Sequence, residues 1–126
     1  INMGTRDFRK IKAWQVACKL SVETYKVTQK FPSTEMYGLI SQMRRAAISV
    51  SANISEGSGR FSEKDFLRFL YIANGSLTEL ESYLMISSEL KYLENSMYLK
   101  LQELREECGR LLNGLIHKIQ LSCEDE

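Results

Sequence analysis

The chain has 126 residues, 44% of them hydrophobic and 26% charged, with a formal net charge of +1, seven glycines and a single proline, Pro32. A chain of this length can bury roughly two-thirds of the surface it exposes when unfolded, so one domain spanning residues 1–126 needs neither disulfides nor metal to hold a core. The shortage of Gly and Pro excludes a sandwich, a barrel or a disordered chain, and leaves an all-α domain.

Around Phe8 and Ile11 the N-terminal residues Arg6, Asp7, Arg9, Lys10 and Lys12 leave no apolar stretch long enough for a signal peptide. A first helix is expected over residues 10–30, with a seam of Ile11, Trp14, Cys18, Val22 and Tyr25. Roughly opposite lies a second apolar stripe, Ala13, Val16, Leu20 and Val27, which a monomer would leave wet. The helix ends before Phe31-Pro32, because the residue preceding a proline is pushed out of the α region.

The second helix is expected over 34–56, capped by Ser33 or Thr34 with Glu35 in its first turn, and its seam is Met36, Ile40, Met43, Ala47, Val50 and Ile54. From Met36 to Ser55 its only charges are Arg44 and Arg45, and its other face is Ser41, Gln42, Arg45, Ser49, Ala52 and Asn53. Small polar residues with so little charge describe a helix covered on both sides. Gly57 is expected to supply a left-handed closing residue.

Ser62 and Asp65 make a capping-box-like start for a third helix over 62–90, whose seam is Phe66, Leu70, Ala73, Leu77, Leu80 and Leu84. Between Phe69 and Ser88 only Glu79 and Glu81 are charged, and Ile72, Tyr83 and Ile86 form an arc beside the seam. Asn95 or Ser96 then caps a fourth helix over 96–121, with the seam Met97, Leu101, Leu104, Cys108, Leu111 and Leu115, and Ser122 to Glu126 reads as a frayed acidic tail. Four such stripes joined by short links predict an antiparallel, up-down-up-down four-helix bundle.

The surfaces left over predict a homo-oligomer with contacts from Val16, Leu20, Val27, Gln42, Arg45, Ser49, Asn53, Ile72 and Tyr83; the alternative is a monomer with a fat core and some exposed apolar side chains. Glu79 lies within the apolar arc, so a buried ion pair is expected, with Arg44 or Arg45 as its partner.

No catalytic or cofactor constellation is present. The one histidine, His117, has no Glu three residues before it, which excludes the Glu-x-x-His ligands of di-iron bundles. Cys18, Cys108 and Cys123 form no Cys-x-x-Cys pair, and Gly57-Ser58-Gly59-Arg60 is too short for a phosphate-cradling loop after a strand. The expectation is a protein that is not an enzyme and holds no metal or cofactor. An odd number of widely spaced cysteines fits a reducing cytoplasm, and uncharged runs of only ten residues cannot span a bilayer.

Basic residues do form a pattern. Residues 1–70 hold twelve Lys and Arg against six Asp and Glu, while residues 71–126 hold five against ten. Lys12, Lys19 and Lys26 recur every seven residues along one flank of the first helix, with Arg9 and Lys30 nearby, and Arg60, Lys64 and Arg68 follow at the second interhelical turn. Repeated around an oligomer, these side chains could neutralise phosphates of RNA or DNA without reading bases; the alternative is a solvated helix flank.

Phe31-Pro32, Glu35, Tyr37-Gly38-Leu39, Gln42, Arg44-Arg45-Ala46-Ala47, Ser49, Asn53-Ile54, Glu56-Gly57, Arg60, Phe69-Leu70, Ala73, Gly75-Ser76 and Glu79-Leu80-Glu81 together resemble the bacterial four-helix-bundle family encoded within intervening sequences of 23S ribosomal RNA genes. That family also looks related to the accessory variability proteins of diversity-generating retroelements. The resemblance implies a four-helix protomer, a ring-like homopentamer and, for the retroelement relatives, binding to nucleic acid and to a reverse transcriptase. The resulting expectation is a non-enzymatic homopentamer with a basic surface that holds nucleic acid irrespective of sequence. The alternative is a protein adaptor, for example a reverse-transcriptase accessory protein, that does not touch nucleic acid.

Overall fold

The computed structural model describes residues 6–124 and contains four long helices: α1 (Lys12–Thr28), α2 (Leu39–Ser58), α3 (Glu63–Glu89) and α4 (Asn95–Cys123). Single 3-10 turns at Phe8–Lys10 and Ser33–Glu35 precede α1 and α2, and no strand occurs among the described residues. α2 packs on α1 and α3, and α4 packs on α3 and α1, so the four helices enclose one core. Across the α2–α3 seam Gln42 meets Tyr83, Arg45 meets Glu79 and Ser49 meets Ser76, so residue numbers fall along α3 as they rise along α2.

The orientation of α1 reverses the expected one. Ala13, Ala17, Leu20 and Val27 face the core, with Leu20 fully buried, whereas Val22 of the expected seam is 53% exposed and Tyr25 is also exposed. Trp14 is half-buried, and the ring of Phe8 packs edge-on against it at 5.0 Å. Three hydroxyl residues, Ser21, Thr24 and Thr28, complete the buried face of α1. Thr24 donates to the carbonyl of Leu20 and Thr28 to that of Thr24, both at 2.8 Å, so their polar atoms are satisfied by their own helix and can enter the core. A core face that includes small and hydroxyl residues ranks in hydrophobicity below the stripe of Trp14, Val22 and Tyr25, which is why the sequence reading placed it outside.

Pro32 does stop α1, but the chain then makes a 3-10 turn, and α2 begins only after Gly38. Neither Ser33 nor Thr34 caps α2, and Met36 lies outside it, exposed. The remaining seam residues, Ile40, Met43, Ala47, Val50 and Ile54, are all buried. Gly57 is not a left-handed terminator: it lies within α2, and no described glycine has a positive φ. Its hydrogen atom fills the place where a Cβ would come within 2.6 Å of the Phe69 Cβ and 2.9 Å of a Phe66 ring carbon. The residue therefore serves a close α2–α3 approach.

Ser62 accepts a hydrogen bond from the amide of Asp65 at 3.0 Å, which caps α3, and all six residues of the α3 seam are buried. In α4 the buried positions are Leu101, Leu104, Cys108, Leu112, Ile116 and Ile119. The expected seam departs by one residue at Leu111 and Leu115, because a straight helix of 3.6 residues per turn drifts from a strict seven-residue repeat. Glu94 stands at the N-cap without a side-chain bond, so neither Asn95 nor Ser96 caps α4. Helix continues through Ser122 and Cys123, and residues 125–126 of the expected tail lie outside the described residues. No helix among the described residues is long and apolar enough to cross a membrane.

Candidate functional site

Of the residues proposed for oligomer contacts, Leu20 and Val27 lie in the core of the chain itself and have no surface to offer a second copy. Val16 is half-buried and packs on the same core. Ser49 and Asn53 are bonded to each other, Asn53 Nδ2 donating to the Ser49 hydroxyl at 3.0 Å and to its carbonyl at 2.8 Å, and Ser49 also meets the Ser76 hydroxyl at 2.8 Å. Gln42, Arg45 and Ile72 of the expected set are exposed, and further side chains join them. Val22 and Tyr25 of α1 and Ile48 of α2, itself 44% exposed, line a shallow apolar groove, beside which the Ser21 hydroxyl makes no hydrogen bond. Ile72 and Ile86 are exposed on α3. Between the groove and α3 the outer face of α2 presents Ser41, Arg45, Ile48, Ala52 and Ser55, with one charge among them. Ile48 was the sequence signal for this surface, a large apolar side chain on a charge-poor face.

The two adjacent arginines diverge because successive side chains on a helix point about 100° apart. Arg44 turns to α1, donating from Nε to the Thr28 hydroxyl at 2.9 Å and lying 4.5 Å over the Tyr25 ring. That position brings a cation to the C-terminal end of α1, where the unpaired carbonyls favour it. Arg45 turns to α3 and pairs with Glu79, which also accepts from the Tyr83 hydroxyl at 2.7 Å, while Gln42 accepts from Arg45 at 3.1 Å. The Tyr83 hydrogen bond holds the Glu79 carboxyl below its usual range, Arg45 adding to the effect, and the same bond pushes the Tyr83 phenol up. This pair is not buried in the chain, the side chains of Arg45 and Glu79 being 52% and 36% exposed. Their position over the α2–α3 seam, at its solvent edge, is what leaves them wet. In the dissociated protomer Glu79→Ala is accordingly expected to cost less than about 1 kcal/mol in urea denaturation. A loss near 3 kcal/mol would mean that the pair is covered in the assembled protein.

The expected basic surface divides. Lys12, Lys19 and Lys26 are all exposed along α1, but Lys26 lies 3.4 Å from Glu23, which Lys100 of α4 approaches at 3.3 Å from the other side. Burial alone would raise the Glu23 carboxyl, yet Lys100 and Lys26 together hold it below its ordinary value. Lys19 shares a groove with Glu103 and Glu107. At the α2–α3 turn Arg60, Lys64 and Arg68 line one open cleft, and both guanidiniums stack on Phe69, at 4.6 and 4.5 Å. Arg60 pairs with Glu56 at 2.8 Å and Arg68 with Asp65 at 3.0 Å. Phe61, 90% exposed, stands at the edge of this cleft and was not singled out in the sequence.

Residues 9–114 match the family described as 23S rRNA-intervening sequence protein. The chain belongs to that family. It is also similar to a protein of unknown function from the S23 ribosomal protein family of Bacteroides thetaiotaomicron, whose crystal structure at 1.70 Å superposes with a TM-score of 0.74. The two share 23% sequence identity over 82% of this chain and 97% of the other, which establishes a common fold. Among curated proteins no sequence matches the chain. The family match takes in α1, α2, α3 and most of α4, and so includes both basic clusters, the apolar groove and the Arg45–Glu79 pair.

No group of three or more His, Cys, Asp or Glu side chains that could hold a metal occurs among the described residues of this family member, and His117 is exposed on α4. No disulfide joins its cysteines. Burial raises the Cys18 thiol, and burial with the nearby Glu107 charge pushes the Cys108 thiol up to about 12. The folded chain therefore favours a protonated Cys108, and that contribution is complete below pH 9, the ordinary thiol value. As pH rises from 9 towards 12 the unfolded chain releases this proton and the folded chain keeps it, so stability falls by up to about 1.4 kcal/mol per pH unit. Cys108→Ala should show a shallower decline between pH 9 and pH 11 in urea unfolding, and an unchanged slope would place the thiol in contact with water.

Proposed function

We propose that this 23S rRNA-intervening sequence family member is a non-enzymatic, cytoplasmic scaffold. Its protomer is an antiparallel, up-down-up-down four-helix bundle that assembles through α1, α2 and α3 into a ring-like homopentamer. The observation that carries this reading is the charge-poor outer face of α2, flanked by exposed Val22, Tyr25 and Ile48 on one side and Ile72 and Ile86 on the other. Apolar side chains exposed on both flanks of a nearly uncharged helix are what an interface between copies uses. The falling register of α3 against α2 supports the antiparallel order, and the family resemblance supports the number five.

In the assembly, Lys12, Lys19 and Lys26 on α1 and Arg60, Lys64 and Arg68 at the α2–α3 turn would be repeated once per protomer, giving a surface that holds nucleic acid by phosphate contacts alone. One observation favours the second reading, an adaptor for a protein such as a reverse transcriptase. Glu23, Glu56 and Asp65 pair with members of the basic set and reduce its attraction for phosphate. RNA and single-stranded DNA binding measured at about 50 and 200 mM salt separates the two, because affinity built on six or more phosphate contacts falls by roughly a thousandfold over that range. Absence of binding at the lower salt favours the adaptor.

Assembly is tested by Ile48→Glu and Ile72→Glu, which place a charge in the proposed interface and leave the protomer core untouched. Each is expected to give smaller species of unchanged helicity.

A further inference from the structure

At the end of the helices opposite the Arg60 cleft, the last turn of α1 and the α3–α4 turn enclose a cleft of about 480 Å³. Lys26, Lys30 and Lys91 line it, together with the apolar side chains of Val27, Leu93 and Met97. Two carboxylates also reach it, Glu23 and Glu94. Glu23 is already engaged by Lys26 and Lys100, and neither Lys30 nor Lys91 has an ion-pair partner among the described residues, so the cleft carries an excess of positive charge.

Lys91 is held in an unusual backbone conformation. Its φ is 63°, and it is the one non-glycine residue with a positive φ among those described. It follows the C-cap of α3, the position at which a left-handed residue ends a helix and which selects glycine. A lysine there carries backbone strain that a glycine would relieve, and the turn is held by the amides of Lys91 and Tyr92 donating to the carbonyls of Ser88 and Ser87, both at 3.0 Å. The Lys91 side chain is one of the cations of the cleft.

We infer that this cleft binds a nucleoside phosphate, its phosphate held by Lys30 and Lys91 and its base and ribose lying against Val27, Leu93 and Met97. Two unpaired ammonium groups recognise a compact dianion as point charges, without the planar geometry that an arginine fork would impose. A volume of about 480 Å³ with an apolar floor suits a body the size of one nucleotide and exceeds what inorganic phosphate fills. The same chemistry is offered by a free mononucleotide and by the phosphorylated end of a nucleic-acid strand. Lys26 also borders the groove of the proposed self-assembly interface, but Lys30, Lys91, Leu93 and Met97 do not, so variants at Lys30 and Lys91 test this site separately from assembly.

The test is calorimetric titration of the 126-residue chain with adenosine 5′-monophosphate, adenosine, and one short oligonucleotide with and without a 5′-phosphate. Saturable binding of adenosine monophosphate is expected, with adenosine at least about tenfold weaker because it lacks the charge-assisted contacts. Lys91→Gly should raise the thermal unfolding midpoint while weakening that binding, and Lys30→Ser combined with it should weaken binding further. A 5′-phosphorylated oligonucleotide that outcompetes the mononucleotide identifies a strand end as the occupant, and the reverse order identifies the free nucleotide. Equal binding of adenosine and its monophosphate, affinity unchanged in the double variant, or no saturable binding of any of these probes would overturn the assignment.

Discussion

Leu20→Ala is expected to lower the stability of the protein by about 3 kcal/mol, as read from the urea unfolding midpoint. Leu20 is fully buried on the inner face of α1 among residues of the other helices, so removing its isobutyl group loses the transfer free energy and leaves a cavity that packed helices cannot close. Had the residue faced a second copy, as its place on the second apolar stripe of α1 suggests, the same change would weaken association and leave the protomer nearly as stable as before. A loss below about 1 kcal/mol, accompanied by dissociation into smaller species, would restore that orientation. Leu20→Glu should prevent folding altogether, because it buries a carboxylate with no partner.

Gly57→Ala should be comparably harmful, for the opposite reason. The added methyl would stand 2.6 Å from the Cβ of Phe69, 2.9 Å from a ring carbon of Phe66 and 3.3 Å from the Phe66 carbonyl oxygen. A Cβ fixed to its own backbone cannot swing aside, and neither can the Phe66 carbonyl, so α2 and α3 must separate along a seam that also carries the Ser49–Ser76 and Arg45–Glu79 contacts. Overpacking of this kind costs about 3 kcal/mol. In a helix interior the exchange would by itself favour alanine by up to about 1 kcal/mol, so a net stabilising effect in urea denaturation would show that the helices are not in close contact at this point.

The elements whose buried face is both apolar and continuous were legible before any coordinates. The stripe from Phe66 to Leu84 in α3 is the core stripe of the structure, and so is that from Ile40 to Ile54 in α2. α1 was misread because two apolar stripes compete on it. The one with the larger side chains, Trp14, Val22 and Tyr25, outranks by hydrophobicity a stripe whose buried members include alanine and self-satisfied threonines. Gly57 was misread because a glycine near a helix end suggests a conformation, and only the positions of Phe66 and Phe69 reveal that it serves a close contact. For Glu79 the sequence reading named the arginines of α2 as partners, and in the single chain the pair with Arg45 lies at the solvent edge of the seam, where exposure depends on how far the neighbouring helix overlaps it. The candidate surfaces were half legible. The cleft of Arg60, Lys64 and Arg68 follows from local spacing in one turn, whereas the meeting of Lys26 and Lys30 with Lys91 depends on which helix ends share one end of the fold.

Self-assembly through α1, α2 and α3 is the claim on which the proposed function rests, and light scattering of the purified protein, beside its Ile48→Glu and Ile72→Glu variants, tests it most directly. The account predicts a mass of five protomers for the unmodified chain, and smaller, fully helical species for both variants. A monomer for the unmodified chain, or an oligomer that both substitutions leave intact, would contradict it.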